Sequence, residues 1–124
     1  MITGVHVLLY SKNPEADRGF FRDVLEFRTV DAGGGWLIFG LPPAEAGIHP
    51  GSGEFVQLHA EHELLGSVMY LMCDNLASTI RSLREKNVEC TKVLEAEWGF
   101  TTTVTLPSGG KIGLYQPMHP TAID

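Results

Sequence analysis

The chain has 124 residues, 44% hydrophobic and 19% charged, with a formal net charge of −6 and a pI near 5.3. That length holds one domain or two very small halves. The acidic balance argues against a nucleic-acid surface, which needs clustered Lys and Arg, and no apolar run approaches the ~20 residues of a membrane helix. Cys73 and Cys90 are isolated and lack metal-ligand spacing. The first residues lack the basic-then-apolar pattern of a secretory leader, so a reduced cytoplasmic protein is the expectation.

In chain order, Val5-His6-Val7-Leu8-Leu9-Tyr10 reads as a strand, β-branched, aromatic and apolar with no breaker inside. Asn13-Pro14-Glu15 is a helix start: a capping Asn, Pro at the first helical position and an acid near the positive helix end. Ala16, Phe20 and Val24, with Phe21 and Leu25, then make one wide apolar face, interrupted by Gly19. Phe27 to Val30 reads as a strand, Asp31 to Gly35 as a turn, Trp36 to Phe39 as the next strand and Ala46 to His49 as a short fourth.

The second half repeats the order. Val68 to Cys73 reads as a strand, and Asp74-Asn75 offers a cap. Leu76, Ala77, Ile80 and Leu83 form a helical stripe ending near Asn87. Strands are expected over Val88 to Leu94, Trp98 to Leu106 and Ile112 to Gln116, with Pro107-Ser108-Gly109-Gly110 as a turn. WLIFGLPP at 36–43 and WGFTTTVTLPS at 98–108 both run from Trp through a strand to Leu-Pro. Trp36 and Trp98 stand 62 residues apart, as do Asn13 and Asn75, whereas Leu41 and Leu106 stand 65 apart because the second hairpin is longer. A self-match at a nearly fixed offset is the mark of duplication. The organisation expected is a single domain over 1–124, with module one at about 1–50, a link at 51–66 and module two at about 67–117.

Three stretches carry a family resemblance: VHVLLYSKNPEADRGFFRDVLEF at 5–27, YLMCDNLASTIRSLREKNVE at 70–89 and LPSGGKIGLYQP at 106–117. Together with the βαβββ order used twice, they resemble the vicinal oxygen chelate superfamily, which includes glyoxalase I, extradiol dioxygenases and bleomycin-resistance proteins. The resemblance covers essentially the whole chain. It implies an α+β fold in which two βαβββ modules form a curved mixed sheet, with helices on the outer face and a ligand inside. Strand parity agrees with it. Val5, Val7 and Leu9 share one face, and His6, Leu8 and Tyr10 the other, which would face the cavity. In the repeat, Val68, Tyr70 and Met72 would face the cavity, and Met69, Leu71 and Cys73 the helix.

The resemblance also implies a divalent metal, Fe, Mn, Ni or Zn, holding two adjacent oxygens of a substrate. His6 occupies the usual first-strand ligand position. Its counterpart in the repeat is Val68, and the last-strand position that normally carries Glu is Gly113. Neither can ligate through a side chain. Glu45 or His49 are the donors on offer near the fourth strand of module one. One matched ligand falls short of the three that catalytic sites generally need, so His6 also reads as a hydrogen-bonded histidine lining the cavity.

Other chemistry finds little support. Gly33-Gly34-Gly35 lacks the ending of a phosphate loop and precedes a strand. Ser108 reads as a turn serine. Cys73 reads as core, and nothing marks Cys90 as reactive. In His59-Ala60-Glu61-His62-Glu63 the spacing is not that of a zinc protease. If helical, the two histidines would share a face; the link otherwise reads as solvated, or as folding over the cavity mouth and lending it His62 or Glu63.

The aromatic residues are the more informative set. Tyr10, Trp36, Tyr70, Trp98 and Tyr115 all fall on expected sheet positions, and with His49 they form the expected ligand-binding set; sheet packing or a dimer interface would use the same residue types. Two functions follow from the resemblance, each for a homodimer with a small-molecule partner. In one, a metal-free binder holds a small aromatic or hydrophobic compound between sheet faces. In the other, a metal-dependent lyase or dioxygenase acts on a substrate with adjacent oxygens, His6 being one ligand and Tyr70 or Tyr115 orienting the substrate.

Overall fold

In the computed structural model, which describes residues 1–53 and 55–123, the chain forms an α+β fold of two helices and eight strands among those residues. They fall into two compact units, Met1–Leu41 with Thr105–Gly110, and Pro42–Val104 with Lys111–Asp124. No helix among the described residues is long and apolar enough to cross a membrane.

The first unit is built on α1 (Pro14–Asp23), followed by β1 (Thr29–Asp31) and β2 (Leu37–Phe39), which pair antiparallel. The helix starts where its residues require. The Asn13 side chain accepts the Ala16 N–H, and Pro14 occupies a first-turn position, where its missing N–H costs nothing. Phe20 and Phe21 are buried, and the Phe21 ring meets Phe27 edge-on at 5.8 Å and Phe39 at 5.4 Å. Asp17 is also buried, on the same helix. Its carboxylate accepts from Ser11 Oγ at 2.6 Å, from Ser108 N–H at 3.0 Å and from Ser108 Oγ at 2.7 Å. Ser108 is a turn serine, and it is also the residue that gives this buried carboxylate two of its hydrogen bonds.

In the second unit, β3 (Val56–His59) and β4 (His62–Leu65) form a hairpin. Next come β5 (Tyr70–Met72), α2 (Leu76–Glu85), β6 (Leu94–Ala96), β7 (Gly99–Thr105) and β8 (Lys111–Pro117). The last four strands form one mixed sheet in the order β5-β8-β7-β6, with β5 parallel to β8 and β6 antiparallel to β7. This is the βαβββ unit in full, with β8, the parallel neighbour of β5, reached through α2 and two further strands. Asn75 caps α2 by accepting the Ser78 N–H. At the other end, Asn87 takes a left-handed conformation (φ 61°) and the Val88 N–H returns to the Leu83 carbonyl, the usual way of closing a helix C-terminus. Leu76, Ile80 and Leu83 of α2 are buried in this unit together with Val88, Val104, Ile112, Leu114 and Tyr115.

Several expectations need correction. The segment Val5–Tyr10 forms no strand, and its apolar side chains are exposed. Strand propensity is realised only against a partner. In the second unit that partner is β8; in module one the matching stretch is broken by Pro42, Pro43, Gly47 and Pro50, and Ala46–His49 forms no strand either. Within the link at 51–66, His59 and His62 do not share a helix face: they lie directly opposite each other in the β3–β4 hairpin, and all eight strand residues are exposed. The sixth strand is shorter and later than Val88 to Leu94, with Cys90 held only by an isolated bridge to Val104.

Candidate functional site

The parallel register of β5 and β8 sets Tyr70 beside Gly113, Leu71 beside Leu114 and Met72 beside Tyr115. Side chains alternate across a strand. Ile112 and Leu114 are buried on the side packed by α2, so Tyr70, Gly113 and Tyr115 share the face turned away from the helix. Gly113 is a requirement of this face: a Cβ there would collide with the edge of the Tyr70 ring. Gly99 makes a similar allowance, because a Cβ on it would collide with the Gln116 carbonyl oxygen and crowd the Tyr115 ring. That close approach brings Trp98 onto the same cluster, and the Met118 N–H donates to the Trp98 carbonyl.

Three rings meet there in edge-to-face pairs: Tyr70 and Trp98 at 5.8 Å, Tyr70 and Tyr115 at 5.5 Å, and Trp98 and Tyr115 at 5.3 Å between centroids. Rings this close touch one another and leave no slot between them. The cluster is a platform, with Tyr115 as its floor at 8% exposure and Tyr70 and Trp98 still 43% and 42% exposed.

His119 adds a fourth ring, stacked on Tyr115 at 6.0 Å and 22°. Its Nε2 lies 3.1 Å from the Tyr115 hydroxyl and its Nδ1 2.8 Å from the Pro120 carbonyl oxygen. Burial, and then the charge of Glu45, push the Tyr115 hydroxyl above its ordinary pKa. Glu45 in turn accepts the Ala122 N–H at 2.8 Å.

Of the residues the sequence points to, Tyr70, Trp98 and Tyr115 are brought together. His49 lies in the same unit, exposed, its Nδ1 donating to the Pro50 carbonyl at 2.6 Å. Tyr10, Trp36 and His6 belong to the first unit. There Trp36 is exposed under the Arg18 guanidinium, 4.4 Å from the ring centroid, a cation–π contact, and His6 stands on the exposed N-terminal segment. Among the described residues no three His, Cys, Asp or Glu side chains converge as a metal would need, so the donor set does not fit a resident metal in a single chain. Cys73 is half-buried; its thiol points at the Tyr115 carbonyl (3.6 Å) and is raised in pKa chiefly by burial, as is that of Cys90. Neither is an activated nucleophile.

His119 is the site residue that sequence reasoning missed. It lies beyond the last strand, four residues after Tyr115. The available signal was a second His-Pro pair, His49-Pro50 being the first, in each of which Nδ1 meets the proline carbonyl. A separate open concavity of about 310 Å³ lies on the helix side of the same sheet, lined by Asn75, Leu76, Val93, Phe100 and Gln116 among others. Two of its polar groups hold α2 in place: the Asn75 side chain accepts the Ser78 N–H and the Gln116 side chain accepts the Leu76 N–H.

No family model matches the sequence, and no curated protein matches it significantly. Solved structures do. The chain is similar to TnmS3, an antibiotic binding protein from Streptomyces sp. CB03234, with a TM-score of 0.59 and 18% identity over 94% of this chain and 99% of that one. It is similar to lactoylglutathione lyase from Agrobacterium tumefaciens, with a TM-score of 0.58 and 14% identity over 87% and 88% of the two chains. It also resembles an integron cassette protein from the mobile metagenome of V. cholerae, with a TM-score of 0.50 and 18% identity over 94% and 98%. At such identities the likeness is one of fold.

Proposed function

We propose that this chain, which has the glyoxalase/bleomycin resistance fold of the vicinal oxygen chelate superfamily, is a small-molecule-binding protein that holds a planar aromatic or hydrophobic compound against Tyr70 and Trp98. The observation that carries this is the ring platform itself. Tyr70 and Trp98 remain more than two-fifths exposed on a sheet face that α2 does not cover, and the last-strand position that would carry a metal-ligating Glu is a glycine lying under the Tyr70 ring. Similarity in fold to an antibiotic binding protein supports the same reading. A ligand would add its own face to the platform, exchanging exposed apolar area for contact at about 25 cal/mol per Å².

The test uses Trp98 as its own reporter. In a Trp36→Phe background, titration with planar aromatic probes should quench Trp98 fluorescence saturably, and Tyr70→Ala should weaken binding by tenfold or more. Quenching that never saturates, or that is indifferent to Tyr70, would sink the reading.

The functional form proposed is a homodimer. Ile2, Val5, Val7, Leu8 and Leu9 are exposed on a segment without a strand partner, and a second copy would cover them. Sedimentation at micromolar concentration decides it, a monomer being the contrary result. Two free cysteines fit a reducing compartment such as the cytoplasm. The fold it shares with lactoylglutathione lyase sustains a second reading, a lyase or dioxygenase with Fe, Mn, Ni or Zn held by His6 and donors from a second copy. About one tight ion per subunit or per dimer, lost in His6→Ala, would establish that reading over the first.

A further inference from the structure

The hydrogen-bond partners of His119 fix where its proton sits. A proline carbonyl oxygen can only accept, so the 2.8 Å contact with Pro120 places the imidazole proton on Nδ1. In the neutral ring Nε2 is then a bare lone pair, and the Tyr115 hydroxyl, 3.1 Å away, must be the donor in that bond. A phenol has one proton to give. With it committed to His119, the Tyr115 oxygen can offer any third group only its lone pairs.

From this we infer that His119 is a specificity-determining residue: by holding the Tyr115 proton it makes the floor of the platform a hydrogen-bond acceptor, so the site selects planar aromatic ligands that carry a donor, such as a phenol or an aryl amine, over equally flat ligands that can only accept. The inference rests on the proposed binding function and narrows it to a ligand class. His119 acts through Tyr115 and does not need to touch the ligand. Its ring stacks on the Tyr115 ring, which holds the imidazole in the orientation the relay requires.

Two bicyclic probes of equal size separate the possibilities: 2-naphthol, which donates, and quinoline, which only accepts. Calorimetry at pH 8, where both probes and a free imidazole are neutral, should show the wild-type chain preferring 2-naphthol by about five- to tenfold, the worth of one hydrogen bond. His119→Phe keeps a stacked ring but removes the acceptor. The Tyr115 proton is then free to turn toward the ligand, and the preference should fall to near unity. Tyr115→Phe should abolish it as well. A preference that survives His119→Phe overturns the inference while leaving the platform in place; failure of both probes to bind overturns the platform and the inference together. Nitrogen-15 NMR of the imidazole gives a ligand-free check. Protonated Nδ1 and bare Nε2 are expected, and the opposite tautomer would refute the relay whatever the probes do.

Discussion

Tyr70 lies so closely over Gly113 that no side chain can be added beneath it without moving the ring. The pairing follows from the parallel register of β5 and β8, which sets the two residues side by side on one sheet face. Gly113→Ala should therefore displace Tyr70 and break its edge-to-face contacts with Trp98 and Tyr115. Overpacking of this kind costs about 1–3 kcal/mol. We expect a lower melting temperature and a changed Trp98 emission. Tyr70→Ala in the Gly113→Ala background should recover most of the lost stability, because the clash is then gone. Gly113→Ala melting like the wild type would show that the Tyr70 ring does not lie against Gly113.

Asp17 is a second point where one residue determines more than its surroundings suggest. Its buried carboxylate takes three hydrogen bonds, two of them from the backbone and side chain of Ser108, ninety-one residues away in the chain. Asp17→Ala leaves the Ser11 and Ser108 donors without their acceptor and should cost about 2–4 kcal/mol. Ser108→Ala removes one hydroxyl bond, keeps the backbone one, and should cost about 1 kcal/mol. Chemical denaturation of the two variants checks the order. Equal costs would mean that the hydroxyl bond contributes most of the interaction.

What the sequence disclosed and what it hid divide along local and non-local lines. Both helix starts were legible because Asn13 and Asn75 cap through their own side chains, a matter of three or four residues. The four-stranded sheet was legible because β7 and β8 are strongly patterned and joined by a tight turn. Val5–Tyr10 has equal strand character and forms no strand, since a ladder needs a partner that no local pattern can guarantee. Tyr70 and Gly113 each stood out, one as a cavity residue and the other as an absent ligand, but only the register shows that the first occupies the space the second leaves. His119 lay beyond the last strand, where alternation gives no guidance.

The β3–β4 hairpin escaped notice for a specific reason, and it yields a prediction. Its turn residues Ala60 and Glu61 both have positive φ, 50° and 66°. That is the conformation a two-residue hairpin turn requires, and Asn-Gly is the sequence that normally signals it. Holding Ala and Glu there costs about 1–2 kcal/mol per residue relative to glycine. Ala60→Asn with Glu61→Gly should relieve that strain and slow hydrogen exchange at the β3 and β4 amides, with little effect on the aromatic platform. Unchanged exchange would place the weak point of the hairpin elsewhere, in the exposed faces of its strands.

Tyr115 carries the prediction for alkaline pH. Burial and the Glu45 charge raise its hydroxyl above the ordinary value of 10.0. In the unfolded chain the phenol ionises at its ordinary value, and in the folded chain it ionises later. Below pH 10 both states keep the proton and the contribution to stability is present in full. As pH rises past 10 the unfolded state loses its proton first, so stability falls until the folded pKa is passed. Absorbance near 295 nm should therefore show Tyr115 titrating late, and denaturant midpoints should decline from about pH 10 upward. Tyr115→Phe should remove both the late titration and its share of the decline, while Glu45→Gln should bring the titration back toward its ordinary value. A Glu45→Gln variant that titrates unchanged would assign the shift to burial alone.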